Sequence, residues 1–301
     1  MPERSVRTET LEVAYLERGE ANPKVAVLVH GFPDCARTWD AVAERLVSRG
    51  YRTFAPYLRG YGETRFLDER KMRSGQIAAL GGDLIDFIEA LNLRDIALVG
   101  HDWGARAAYV AAALVPERLA SLTALAVGYG TNTPDQRLSL PQVRQYWYQW
   151  FLNTEGGKRE LHTDRRGFCR YLWRLWSPGW RFTEEEFDAT APAFDNPDFV
   201  EVSVHSYRHR WANAPSDPAY DELEERLAGP PPIPVPTTVL MGKDDGATLP
   251  ELSEDKERFF TGGYRREVLP GVGHFIPREA PEQVVEAVLS PPGSSPPETS
   301  G

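Results

Sequence analysis

Ile96-Ala97-Leu98-Val99-Gly100-His101-Asp102-Trp103-Gly104, continued by the alanine-rich run Ala105 to Leu114, is the stretch on which the fold turns. Four apolar residues bounded by glycine read as a buried parallel strand, and the good helix formers after them stop just before Pro116. The order is therefore strand, sharp turn, helix. The turn spells Gly-X-Asp-X-Gly. Glycine at both ends lets the backbone bend tightly and lets strand and helix approach closely, while the central side chain is pushed outward. Asp102 is on this ground a candidate nucleophile. The competing reading makes it an ordinary N-cap of the following helix, and this motif by itself leaves both open.

Outward from that turn the chain alternates. Val6 and Leu11 to Leu16 read as short edge strands, and Val25 to Val29 is a continuous apolar run suited to a strand buried on both faces. Trp39 to Ser48 is an amphipathic helix stopped at Gly50; Thr53 to Pro56 is the next strand. A helix is expected from Ser74, with apolar positions at Ile77, Leu80, Leu84, Phe87, Ile88 and Leu91. Leu119 to Val127 gives the strand after the elbow helix. Such alternation predicts a mostly parallel, doubly wound sheet.

The pattern then changes. Residues 134–228 are helical and aromatic, with Trp147, Trp150, Trp173, Trp176, Trp180 and Trp211, and read as a helical cap inserted into a core formed by residues 1–133 and 229–290. The stiff run Gly229 to Pro236 reads as the linker back. Strands at Thr237 to Met241 and near Arg266 to Leu269 follow, with a last helix from Pro281 to Leu289; residues 291–301, rich in Pro, Ser and Gly, are expected to be disordered.

With 34 basic and 44 acidic residues the formal charge is −10, which argues against nucleic acid and anionic membrane surfaces as partners. No apolar run is long enough for a bilayer span and the N-terminus lacks a signal-peptide core, so a cytoplasmic protein is expected. Cys35 and Cys169 are too few for a zinc set or a disulfide framework and read as reduced core thiols. His162, His205 and His209 lack metal-ligand spacing, and no dinucleotide or phosphate-cradling loop follows a strand; neither metal nor cofactor is expected. Arg208-His209-Arg210 reads as a solvated face.

Four segments, His30-Gly31-Phe32-Pro33, Arg59-Gly60-Tyr61-Gly62, Gly100-His101-Asp102-Trp103-Gly104 and Gly271-Val272-Gly273-His274-Phe275, together resemble the soluble epoxide hydrolase and haloalkane dehalogenase branch of the α/β-hydrolases, over about Leu11 to Leu289. The resemblance implies an α/β-hydrolase fold: a mostly parallel eight-stranded sheet flanked by helices, with an inserted cap. It also implies the chain order nucleophile, acid, histidine, which falls on Asp102, Asp245 and His274. Asp245, three after Gly242, is preferred to its rival Asp244. The oxyanion donors become the backbone N–H groups of Phe32 and Trp103.

An aspartate nucleophile narrows the chemistry. A carboxylate with a pKa near ~4 is ionised at neutral pH and needs no base to attack. Attack on an acyl carbon gives a costly anhydride, whereas attack on an sp3 carbon bearing a leaving group gives an ordinary ester. His274 is then free to activate the water that hydrolyses the Asp102 ester. An epoxide oxygen leaves as an alkoxide and needs an acid. The resemblance carries that role onto Tyr148, in Tyr148-Gln149-Trp150-Phe151, and onto Tyr207. Phe32, Pro33, Trp103, Trp147, Gln149 and Trp150 are the expected substrate contacts. The reaction so implied is opening of a small apolar epoxide to a vicinal diol, an ether-bond hydrolysis. Halide displacement from a haloalkane or haloacid by the same Asp102, or a non-catalytic ligand-binding role, are the alternatives; a homodimer stays open.

Overall fold

The structure, a computed structural model, describes residues 3–131 and 135–293. Strands β1 (Glu3–Arg7) and β2 (Leu11–Arg18) pair antiparallel, and β3 (Lys24–Val29) leads through a short helical turn into α1 (Asp40–Ser48) and β4 (Tyr51–Pro56). After the two-residue β5 (Arg65–Phe66) come α2 (Ile77–Ala90), β6 (Ile96–His101), α3 (Trp103–Leu114) and β7 (Leu119–Leu125). Seven helices follow before the sheet resumes: α4 (Leu140–Gln145), α5 (Trp147–Leu152), α6 (Glu155–Thr163), α7 (Arg165–Trp176), α8 (Glu184–Thr190), α9 (Phe199–Arg210) and α10 (Asp221–Leu227). Strands β8 (Thr237–Gly242) and β9 (Tyr264–Leu269), then α11 (Ile276–Glu279) and α12 (Pro281–Leu289), complete the described chain.

The sheet order is β1-β2-β4-β3-β6-β7-β8-β9, with β5 hydrogen-bonded to β2. Every pair from β4 to β9 along this path is parallel, and only β2's pairings, to β1, β4 and β5, are antiparallel. Eight strands form the path as expected, and β5 adds a ninth. Contrary to the sequence reading, β2 is no edge strand: its two rims are taken by β1 and β4. Strands β6 and β8 are buried at every position, the burial that helices on both faces impose on a parallel sheet and the reason for their unbroken apolar runs.

Register positions the loops that matter. Val29 of β3 lies opposite Gly100 of β6, so the two chains leave the sheet side by side at their C-terminal ends. Gly242 of β8 is level with Leu269 of β9, which brings the next two loops out together. The winding reverses between β3 and β6, and the crevice outside the C-terminal ends of strands at such a reversal is where this architecture binds ligands.

Boundaries differ from expectation for local reasons. Helix α2 begins at Ile77, not Ser74, because the preceding turn is held against α9: the Gly75 N–H donates to His205 Nδ1 at 3.0 Å. Strand β7 stops at Leu125, before Ala126 with φ 62°. The proline run is more than a linker, since Pro236 O accepts the Leu122 N–H and Ile233 bridges to Phe260. The expected core–cap boundary at 134 and most of the expected tail, 294–301, lie outside the described residues. Cys35 and Cys169 are buried free thiols. No helix among the described residues is long and apolar enough to cross a membrane.

Candidate active site

Asp102 sits at the turn between β6 and α3 with φ 51° and ψ −112°, outside the regions open to most L-residues, a conformation that costs on the order of 1–3 kcal/mol. The glycines around it are demanded by space. A Cβ on Gly104 would stand 2.0 Å from Val29 O, and one on Gly100 2.4 Å from Gly104 O. The Asp102 side chain does not cap α3. It accepts instead the Phe32 N–H, at Oδ1 and 3.0 Å, from the loop that leaves β3 alongside. Gly31 makes this approach possible, since a Cβ there would meet Asp102 Cβ at 2.5 Å. The Trp103 N–H is the first of α3 and so has no carbonyl within the helix.

His274 is fully buried on the loop after β9. Its Nδ1 pairs with Asp245 Oδ2 at 2.8 Å, and its Nε2 stands 3.9 Å from Asp102 Oδ2, too far for a hydrogen bond and without another acceptor among the described residues. Asp245 is held in turn, its Oδ1 accepting the N–H groups of Ala247 and Thr248 at 2.6 and 2.8 Å. Asp244 is exposed and takes no part. Burial works against a charged His274, but Asp245, helped by Asp102, outweighs it and raises the imidazole pKa. Two other buried histidines go the opposite way: burial lowers His30 and His101 to about 4. Both are fastened to the site's loops. Leu58 N–H donates to His30 Nε2 at 3.1 Å, and His101 Nε2 meets His274 O at 2.9 Å.

The roof is aromatic. Phe32 stacks on Trp103 with ring centres 5.5 Å apart and meets Tyr207 edge-on at 5.3 Å. Tyr148 and Tyr207 stand perpendicular at 5.3 Å, and Trp176 packs against both Tyr148 (4.6 Å) and His274 (4.9 Å). Tyr148 and Tyr207 are buried, which raises both phenol pKa values well above 10 and keeps the protons on. Tyr148 Oη accepts from Gln149 Nε2 at 2.9 Å, and Gln149 Oε1 is fixed by Trp211 Nε1 at 2.8 Å.

Of the predicted residues, Asp102, Asp245, His274, Phe32, Trp103, Tyr148 and Tyr207 are brought together; Trp147 and Trp150 are not. Trp147 packs with Phe151, Phe168 and Tyr171, the last of these exposed, and Trp150 packs on Trp211 and donates to Val143 O. Helix α5 turns Tyr148 inward, and neighbours one and two positions away necessarily face elsewhere. Gln149 stands behind Tyr148, and Pro33 contributes its carbonyl to Trp173 Nε1 at 2.7 Å.

Several supports had no motif to mark them. Ser177 Oγ, at the end of α7, accepts the His274 N–H at 2.8 Å and donates to Glu279. Gln142 of α4 spans the Asp245 loop, donating to Ala247 O and accepting from Leu249 N. Arg278 pairs bidentately with buried Asp34 beneath Trp173.

Residues 25–281 match the family described as the alpha/beta hydrolase fold. The chain belongs to it. Among the relatives of this α/β-hydrolase is a Klebsiella pneumoniae crystal structure provisionally described as an epoxide hydrolase, 36% identical, with a TM-score of 0.90, the match covering 95% of this chain and 96% of that one. Epoxide hydrolase A of Mycobacterium tuberculosis is 26% identical over 320 residues, covering 95% of this chain and 96% of its own length. A mutant of potato epoxide hydrolase, 22% identical with a TM-score of 0.77 over 96% of this chain and 98% of that one, shares the fold.

Proposed function

We propose that this α/β-hydrolase opens epoxides to vicinal diols through an ester on Asp102. The observation that carries the reading is the pair of buried, protonated phenols, Tyr148 and Tyr207, converging in one aromatic chamber with an elbow carboxylate. Its relatives' descriptions as epoxide hydrolases point the same way.

The two Asp102 oxygens divide the work. Oδ1 is engaged by the Phe32 N–H, which leaves Oδ2, on the His274 side, to attack a ring carbon. The C–O bond of the ring breaks as the new C–O bond forms, and a tyrosine hydroxyl gives its proton to the departing oxygen. Oδ1 is then the ester carbonyl, already placed at the N–H groups that stabilise its negative charge when water adds to Cγ; loss of one such donor typically costs ~3 kcal/mol or more of barrier. His274 Nε2 removes the proton from that water, with Asp245 holding the ring and stabilising its charged form. Collapse breaks the bond from Cγ to the substrate oxygen, which takes the water's second proton from the new hydroxyl on Cγ and leaves as the diol; Asp102 is regenerated as a carboxylate, and the proton on His274 restores the phenol.

A single turnover with enzyme in excess, run in heavy-oxygen water, tests this. The label is expected in the carboxylate of the peptide containing Asp102, because the attacking water's oxygen stays there when the ester C–O bond breaks. Diol formation without label in Asp102 would show direct attack by water and end the proposal.

One observation favours a second reaction at the same nucleophile. Trp103 Nε1 and Trp176 Nε1 are buried and donate to nothing among the described residues, and N–H donors are what a departing halide needs. Halide release from a bromoalkane, compared with turnover of a simple styrene-type epoxide, decides between them.

A further inference from the structure

A cavity of about 560 Å³ lies at the seam between the core and α9, and none of the reacting groups forms its wall. Two of its walls are cationic. Helix α3 brings in Arg106, four residues after Asp102, and α9 brings in Arg210, three residues after Tyr207. Both arginines are 5% exposed, contrary to the solvated face that Arg208-His209-Arg210 suggested. Arg106 Nη1 donates to Thr131 O at 2.9 Å and more weakly to Thr131 Oγ1 at 3.4 Å, and Arg210 Nη2 reaches Ser206 Oγ at 3.3 Å. Nε of each is buried without an acceptor, and neither arginine meets a carboxylate within ion-pair distance among the described residues. Asn132, Thr133 and Pro134, next in sequence after Thr131, carry no charge. A buried arginine is normally matched by an acid, as Arg59 is by Asp83 and Arg278 by Asp34 in this same chain. Here two guanidiniums stand close enough that Arg210, after burial itself, is the main influence lowering Arg106, to about 10, which leaves Arg106 charged at neutral pH.

The other ionisable groups on the wall have partners of their own. Glu224 is engaged by Gln76 Nε2 at 2.8 Å, and burial raises its pKa; His209 meets Ser216 Oγ at 2.9 Å, and burial lowers its pKa. The hydroxyls of Tyr109 and Tyr129 donate to Val127 O at 2.9 Å and Pro231 O at 2.7 Å. What is left between the arginines and the mouth is apolar, with Ile77, Val110 and Leu227 on the wall. At the rim Ala212, Ser216 and Pro230 are exposed, so the cavity is reached from solvent without passing Asp102. An apolar recess with two unmatched cations suits a short hydrocarbon chain ending in an anion.

We propose that this cavity is a second ligand site, separate from the one at Asp102, in which Arg106 and Arg210 hold the carboxylate of a small aliphatic acid whose chain lies along the apolar wall. The ligand is not the substrate, and the site does not depend on the epoxide reading. A guanidinium fork matches a carboxylate, and a charge-assisted pair shielded from water is worth much more than an exposed one. The volume falls within the range of small-molecule sites, which are likewise apolar with a few placed polar groups. A bound carboxylate also supplies the countercharge that Asp83 and Asp34 give to Arg59 and Arg278 and that no described residue gives to Arg106 and Arg210.

Calorimetric titration of the whole protein with octanoate and with octanamide is the first test, and it needs no variant to fold. Octanoate is expected to bind about tenfold or more tightly than the amide, and its affinity should fall about fourfold for each methylene removed down to butanoate, the ratio that burial of one CH₂ gives. Arg106→Met and Arg210→Met should each weaken octanoate by about tenfold or more, and Arg210→Lys should weaken it less. Octanoate should raise the melting temperature of the wild type and leave that of the methionine variants unchanged. A crystal structure with octanoate should place its carboxylate between the two guanidiniums. Equal affinity for acid and amide in the wild type, or no binding of either, overturns the proposal. A carboxylate found beside Asp102, or methionine variants that bind octanoate as the wild type does, puts the ligand elsewhere and overturns it as well. None of these measurements uses turnover, so a failure of the epoxide reading leaves them standing, and their failure leaves that reading standing.

Discussion

Replacing His274 with Gln should split the reaction in two. The imidazole Nε2 lies 3.9 Å from Asp102 Oδ2, beyond hydrogen-bond range, a separation that suits a base acting on a water beside Cγ rather than on the carboxylate itself. The alkylation machinery, Asp102 with the Phe32 N–H and the two phenols, does not include it. Loss of a general base costs roughly 10²–10⁴ in rate. From a typical turnover of ~10 s⁻¹ the ester would then hydrolyse at ~10⁻¹ to 10⁻³ s⁻¹, a half-life between about 10 s and about 10 min. Acid quenching within seconds of mixing, followed by intact-mass measurement, should show the protein plus one substrate, and peptide mapping should place the mass on Asp102. Wild-type protein quenched alongside should carry much less. Unmodified His274→Gln protein that still makes diol at the wild-type rate would remove His274 from the mechanism; unmodified protein with no diol would mean that alkylation itself needs the imidazole, and the division of labour would be refuted.

Three other outcomes follow from the geometry. Tyr148→Phe with Tyr207→Phe should lower epoxide turnover by at least ~10²-fold with the melting temperature little changed, since only hydroxyls are removed; surviving turnover would mean that the acid lies elsewhere. The acid limb of kcat should have its midpoint above 6.5, because Asp245 raises the His274 pKa and the base must be neutral; Asp245→Asn should move that midpoint down and cut the rate by ~10³-fold or more, and an unmoved midpoint would assign the limb to another group. Asp34 is held below the usual carboxylate range by Arg278, against the opposing effect of burial, so its contribution to stability is fully present above an unfolded pKa of about 3.9 and is lost as pH falls through the lower folded value. Arg278→Met leaves Asp34 buried and unmatched, so burial now raises its pKa, and should cost about 3–5 kcal/mol at neutral pH, a deficit that shrinks as the pH falls through that raised value and Asp34 takes up a proton; denaturant titration at neutral and acid pH checks this.

Much of the arrangement around Asp102 was legible because each part is a local backbone problem. Gly100 and Gly104 announce a turn so tight that a Cβ would strike backbone, and the residue between them has nowhere to point but outward. His274 follows a Gly-X-Gly loop and Asp245 follows a buried strand, so their order along the chain was readable, and register did the rest. The choice between Asp245 and Asp244 needed only one more fact, which of two adjacent side chains turns inward. The cap was harder. Tyr148, Trp147 and Trp150 share one short helix and one composition, and only packing shows that the first meets Trp176 and Tyr207 while the other two face Tyr171 and Trp211. Trp176, Ser177 and Gln142 left no signal at all, since nothing in a helix sequence tells which strand-end loop it will meet.

Sequence by itself determined the alternation of strands and helices and the glycine-flanked elbow with its carboxylate, because glycine sterics and strand burial act within a few residues. Tertiary structure alone decided which phenols and indoles gather around Phe32 and Asp102, how far the His274 imidazole stands from Asp102, and that Arg106 and Arg210, 104 positions apart, line one cavity. Those depend on how two layers pack across a seam, and long-range packing has no local period for a sequence to display.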